Sequence, residues 1–166
     1  SLHDLNLGGL STISKIMAAK IFSRFAKVFI TSEGYLPKEL EEYRIQVPPH
    51  KLHDMLAYSS LYFGDGGTMA SEAGVLGIPS IHVAKVNICY TDQLSEKYGL
   101  VMNFKAPEKD WKSAIKQGCK ILNNSESKVS WNKKRKRLLE DKLETNSFVI
   151  SHLEEKFKLN DEGVYQ

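Results

Sequence analysis

The sequence predicts an α/β fold: a Rossmann-like parallel sheet with helices on both faces, ending in a long C-terminal helix. Three observations predict it. Short apolar, β-branched runs alternate with segments of helical period about five times along the chain. The connections between them are short, so each return to a parallel neighbour is made by a helix. And 166 residues suffice to bury roughly 70% of the surface that the unfolded chain exposes, so one core needs no disulfide or metal staple.

The elements follow in order. Ile13, Ile16, Met17, Ile21, Phe22 and Phe25 recur at three- and four-residue spacing and make one helical face. Ser11 or Thr12 can cap its start, because a hydroxyl there accepts from an otherwise unpaired N–H. Residues 28–32, VFITS, read as a buried strand. Pro37 opens a helical turn through PKELEEY. Residues 44–47 are a second short strand, stopped by Pro48 and Pro49, which cannot donate to a ladder.

Leu52, Met55, Leu56 and Ser59 then share a helix face. Residues 61–64 are a strand, and the glycines after it a turn. A helix over 68–76 ends at Gly77, where a C-cap favours positive φ. Pro79 restarts a strand over 80–84. Residues 92–98 are helical, Gly99 ends that helix, and 100–104 is a strand. Trp111, Ala114, Ile115, Gly118, Cys119 and Leu122 mark a further helix, broken at 123–125. A long helix follows, with Leu139, Leu143, Ile150, Leu153 and Phe157 on one face and Asn146 interrupting it.

Composition excludes several classes. Lys+Arg 23 against Asp+Glu 20 gives a net charge of +3, too small to argue for a nucleic-acid binder. Cys89 and Cys119 lie thirty positions apart without metal-ligand spacing, and read as inert thiols of a reducing compartment. Apolar runs of roughly five or six residues cannot span a bilayer, and no secretory signal is visible. A cytoplasmic location is expected. The chain opens at Ser1, inside what looks like a loop. It is therefore read as one domain over 1–166 cut from a longer protein, with an α/β core over 1–124 and a helical extension over 125–166.

The most informative stretch is GDGGTMASEA, which begins at Gly64. In open parallel sheets ligands bind outside the carboxyl ends of the strands, and this turn lies at one. Gly66 and Gly67 have no Cβ, so the backbone can approach a ligand closely. Thr68 can cap the helix and offer a hydroxyl. The first N–H groups of that helix are unpaired and sit at the positive end of its dipole, which suits a phosphate. Glu72 stands one turn further on the same face, within reach of sugar hydroxyls. The plain alternative is a glycine-rich tight turn with a solvated glutamate.

The stretch AYSSLYFGDGGTMASEAGVLGIPSIHV resembles the nucleotide-binding core in the C-terminal domain of GT-B glycosyltransferases. It is most similar to UDP-N-acetylglucosamine 2-epimerases and to the N-acetylglucosaminyltransferase of peptidoglycan synthesis. The resemblance implies that Gly66, Gly67 and Thr68 hold a diphosphate and that Glu72 binds a ribose. The turn of Leu76, Gly77, Ile78 and Pro79 matches the family's turn into the next strand. The starting segment HDLNLGGLS, VFITSEGYLPKELEEYRI and EKYGLVMNF resemble an uncharacterised prokaryotic family, numbered 354 among domains of unknown function. That family is expected to share the two-domain fold. Two departures stand out. The epimerases carry a Ser-Gly-Gly turn where this chain has Gly66, Gly67 and Thr68. The family also has a central strand just before the position of His3 and Asp4.

Other residues have a sharp and a plain reading. By resemblance, Pro48, Pro49 and His50 form the loop that seats a uracil ring; otherwise they make a stiff strand-to-helix connection. His50 and His53 are three apart and could face one side, but no third metal ligand has a fixed spacing nearby. His3, Asp4 and Glu33 are weak catalytic candidates: a histidine suits general-base work and a carboxylate at a strand end can line a cleft. Thr91 and Asp92 open a helix at the next strand end, where the GT-B families touch the donor sugar; Asp92 also reads as a plain N-cap. Lys133, Lys134, Arg135, Lys136 and Arg137 suggest contact with a phosphate or membrane surface, or a solvated helix face laced by i,i+4 pairs.

The expected function is a UDP-sugar-binding domain of a glycosyltransferase or sugar-nucleotide epimerase, with no cofactor or metal and no nucleic-acid partner. An isolated domain of this kind is expected to bind weakly and to catalyse nothing. The competing reading is a non-catalytic Rossmann-like scaffold, since fold alone does not establish function. A third, a phosphatase or receiver domain, needs a carboxylate cluster at strand ends, and Asp65 is the single well-placed aspartate.

Overall fold

A computed structural model describes residues 9–32, 34–86 and 88–157. The chain forms two compact units, Ser1–Arg135 and Lys136–Gln166. In the first, α1 (Thr12–Phe22) and α2 (Lys38–Glu41) are followed by a short 3-10 turn (Pro49–Lys51) and α3 (Leu52–Tyr58). Then come β1 (Tyr62–Gly64), α4 (Gly67–Val75), β2 (Ser80–Val83), α5 (Cys89–Glu96), β3 (Val101–Phe104) and α6 (Pro107–Leu122). The helix α7 (Ser127–Glu140) starts in this unit, and α8 (Thr145–Phe157) belongs to the second.

The sheet has three parallel strands in the order β1-β2-β3, with Phe63 opposite Ile81 and Ile81 opposite Met102. The expected α/β class and parallel pairing are therefore present. Of five expected strands, however, the segments 28–32 and 44–47 form only a single parallel bridge, Ile30 to Arg44. A β-branched run supplies strand propensity but not ladder partners.

Helices flank both faces. Consecutive residues of β1 point to opposite sides. Phe63 packs with Phe22 of α1 and Ile115 of α6, while Tyr62 packs with Leu56 of α3 and Ala73 of α4. β2 lies between two strands, and all four of its side chains are buried. That is the burial a central parallel strand requires.

The ends of the helices explain why the elements stop where they do. Ser11 is the residue that caps α1, its hydroxyl accepting from the Ser14 N–H at 3.1 Å. Gly77 and Gly99 adopt φ of +81° and +64° after α4 and α5, a region that costs an L-residue roughly 1–2 kcal/mol. The carbonyls left there are taken by α7. Arg135 Nε donates to the Val75 carbonyl at 2.8 Å, Lys134 Nζ to the Gly99 carbonyl at 2.8 Å, and Trp131 Nε1 to the Leu100 carbonyl at 2.9 Å. Two of the five cations in the basic run thus cap other helices, which corrects the picture of a wholly solvated face.

The helical C-terminal region is divided at 141–144 rather than at Asn146. There the Glu144 carboxylate accepts from the N–H groups of Asn146 and Ser147 at 3.2 and 2.6 Å, and α8 begins. Among the described residues, no helix is long and apolar enough to cross a membrane.

Candidate functional site

Residues 65–66 follow the carboxyl end of β1 and residues 84–86 that of β2, so the parallel pairing brings the starts of α4 and α5 to the same edge of the sheet. The N-cap of α4 is Gly66, and no side chain caps the helix. Thr68 is therefore not the cap that the sequence suggested; it is the second residue of the helix, exposed, with its hydroxyl 3.4 Å from the Tyr90 hydroxyl. The first backbone bond at this end runs from the Ala70 N–H to the Gly66 carbonyl at 3.0 Å. Among the described residues, the N–H groups of Gly67, Thr68 and Met69 have no recorded acceptor.

Gly66 is exposed, but Gly67 is buried. A Cβ at Gly67 would run into Ile88 Cδ1, with the Tyr90 hydroxyl 3.6 Å away. The close approach that this glycine permits is therefore made by the chain itself. Tyr62 donates its hydroxyl to the Gly66 carbonyl at 3.0 Å. Burial, and then the Asp65 carboxylate, push its phenol pKa well above the ordinary value.

Glu72 is half-buried on α4, where its carboxylate lies 3.4 Å from His53 Nε2 on α3. This ties His53, rather than His50, to the candidate site. Pro48, Pro49 and His50 are all exposed; Pro48 precedes the 3-10 turn, and Pro49 and His50 belong to it. No group of three His, Cys, Asp or Glu side chains gathers to hold a metal among the described residues. Asp65, at the end of β1, is salt-bridged to Lys15 of α1 at 3.0 Å.

The second strand end holds a polar network that sequence reasoning missed. α5 starts at Cys89 with Ile88 as N-cap, so Asp92 is not a cap but lies one turn inside. Its carboxylate accepts from Asn103 Nδ2 at 2.9 Å and pairs with Lys105 at 3.1 Å. Asn103 Oδ1 in turn meets His82 Nδ1 at 3.1 Å. Thr91 is buried, its hydroxyl donating to the Ile88 carbonyl at 2.9 Å. Thr91 therefore fixes its own turn rather than facing a ligand. The signal for this network was the polar His82 and Asn103 in otherwise apolar strands, a pattern that fits paired neighbours in a sheet.

Cys89 is exposed and Cys119 half-buried, both unpaired, and burial raises the Cys119 thiol pKa. Arg44 binds Glu41 through two bonds of 2.8 and 2.9 Å and also donates to the carbonyls of Ser32 and Gly34. The Arg44 bonds hold the Glu41 carboxyl below its ordinary pKa. His3, Asp4 and Glu33 lie outside the described residues.

Comparisons with protein-family models, with curated proteins and with solved structures find no match.

Proposed function

We propose that the chain binds the diphosphate of a nucleotide sugar, of the UDP-sugar kind, at the start of α4, as the donor-binding part of a glycosyltransferase or sugar-nucleotide epimerase. One observation carries the reading: three consecutive amides, of Gly67, Thr68 and Met69, open α4 at the carboxyl edge of a parallel sheet without acceptors among the described residues. Such amides and the helix dipole favour an anion. Glu72 follows one turn later, its carboxylate 3.4 Å from His53 Nε2, and would accept from a ribose hydroxyl. In a transfer reaction the same amides would stabilise the departing diphosphate.

Calorimetric titration with UDP and UDP-N-acetylglucosamine tests this. Saturable heat with either nucleotide, weakened at least tenfold in Glu72→Ala, is the expected result; no heat with either overturns the proposal. The second reading, a scaffold without ligand, is favoured by the Ile88 side chain over Gly67. It predicts that shortening this cover, in Ile88→Ala, brings no nucleotide binding.

A further inference from the structure

Leu139, Leu143, Asn146, Ile150, Leu153 and Phe157 follow one another at steps of four, three, four, three and four residues. That is the spacing of the a and d positions of a heptad, with Leu143, Ile150 and Phe157 at a and Leu139, Asn146 and Leu153 at d. The five apolar members are 44–76% exposed. α8 has no buried residue, and a helix of 13 residues without buried contacts is marginal in water. The stripe therefore needs something to pack against.

The pattern runs straight through the turn at 141–144, where α7 ends and α8 begins. Sharp breaks in helices ordinarily fall at proline or glycine. Asp141, Lys142, Leu143 and Glu144 include neither. The turn is held instead by the Glu144 carboxylate, which accepts from the N–H groups of Asn146 and Ser147. Closing the turn into continuous helix exchanges that cap for backbone bonds and sets all six positions on one seam.

We propose that this seam pairs with the same seam of a second copy of the chain, parallel and in register, as a two-stranded coiled coil over 139–157. The flanking charges choose the partner and its direction. Glu140, Ser147 and Glu154 stand at the e positions, and Lys142, Val149 and Lys156 at the g positions. In an antiparallel pair e lies against e and g against g. Glu140 would then meet Glu154 of the second copy, and Lys142 would meet Lys156, like against like. A parallel pair sets each g position against the e position five residues on. Lys142 then meets Ser147 and Val149 meets Glu154, with no like charges together.

Asn146 makes the same choice independently. In a parallel, in-register pair it faces its own counterpart, and the two side-chain amides can bond to each other. In the antiparallel pair it would lie against Ile150, buried without a partner, which is costly. Isoleucine at a beside leucine at d, as in Ile150 and Leu153, favours two strands. Lys136, one a position earlier, would bring two ammonium groups together, so the seam ends at Leu139. A lipid surface is a poorer match, because carboxylates of Glu140 and Glu154 border the stripe where an interfacial helix carries cations. The proposal stands apart from the nucleotide reading, since it uses neither the α4 amides nor Glu72.

Sedimentation equilibrium from dilute to concentrated solution tests it. The chain is expected to pass from monomer to dimer, and its helical circular dichroism to deepen as it does. Leu153→Lys should weaken the dimer at least tenfold. Phe148→Ala should leave it unchanged, because Phe148, though 56% exposed, stands at the f position away from the seam. Glu144→Ala removes the cap of the broken form but no seam residue, and should tighten the dimer. Direction is read from Asn146→Cys in a Cys89→Ser background: a parallel, in-register pair joins the two new thiols on oxidation. All these positions are exposed, so the urea midpoint of the dilute protein should hardly move. A monomer at every concentration overturns the proposal, and flotation with lipid vesicles would then name a membrane as the occupant. So does a trimer, a dimer indifferent to Leu153→Lys or as sensitive to Phe148→Ala, one weakened by Glu144→Ala, or a cysteine variant that dimerises without cross-linking.

Discussion

Asn103 bridges His82 and Asp92: its carbonyl oxygen lies 3.1 Å from the His82 ring and its amide donates to the Asp92 carboxylate at 2.9 Å. With the amide committed to Asp92, Asn103 Oδ1 accepts from the His82 Nδ1–H. The other ring nitrogen, Nε2, is buried without a partner among the described residues. The sheet therefore holds an imidazole with one ring nitrogen left without a partner among the described residues. Asn103→Leu would leave Nδ1 unpaired as well. It is expected to lower stability by about 1–3 kcal/mol, read as a lower urea midpoint at unchanged slope. An unchanged midpoint would show that the network holds nothing together.

Trp131 is 5% exposed, and its indole N–H reaches the Leu100 carbonyl 31 residues earlier in the chain. Trp131→Phe keeps an aromatic ring but removes the donor and part of the packing. The expected loss is about 1–2 kcal/mol in the same unfolding experiment. Lys134, whose ammonium lies 3.8 Å from the centre of this ring, should show altered side-chain NMR shifts in the variant.

Gly118 poses a question of sign. Alanine is the better helix former by about 1 kcal/mol. But a Cβ at Gly118 would stand 2.7 Å from two atoms of the Phe22 ring and 3.2 Å from Leu61 Cδ2. Phe22 is itself fixed edge-on to Phe63, with ring centres 5.1 Å apart. Overpacking of this kind costs roughly 1–3 kcal/mol, so Gly118→Ala is expected to be destabilising despite its propensity. A stabilised variant would show that α1 can move away from α6.

Glu144 gives α8 a pH dependence. The Ser147 hydroxyl and backbone N–H, with the Asn146 N–H, hold its carboxyl below the ordinary value. A lowered pKa in the folded form means that the cap is fully effective above the usual glutamate range and is lost as pH falls through the lowered value. The Cα shifts of Asn146 and Ser147 should move towards coil values on acidification, and Glu144→Gln should flatten that change. Profiles identical for the two proteins would exclude the cap.

What the sequence made legible was local. Gly77, Pro79 and Gly99 punctuate the chain where they should, and the three strands fall inside the runs 61–64, 80–84 and 100–104. Helix starts were less legible. Thr68 and Asp92 are both good capping residues, yet each helix begins earlier, and Asp92 is drawn to Asn103 and Lys105 across the sheet edge. The run 28–32 has the propensity of a strand, but its pairing depends on what lies beside it. The basic run likewise concealed its long-range bonds, because a carbonyl 35 or 60 residues away leaves no trace in spacing. The glycine turn that opens α4 was readable; the Ile88 cover over Gly67 was not, since it is a contact made only in the folded chain.

The bonds from α7 to the carbonyls of Val75, Gly99 and Leu100 set an order of assembly on the ribosome. Chains emerge amino end first. All three strands are translated before Trp131, Lys134 and Arg135. The nascent sheet is then complete in sequence while the ends of α4 and α5 still lack their donors. A chain truncated just after α6 would carry an unlatched sheet, because Trp131, Lys134 and Arg135 all follow it.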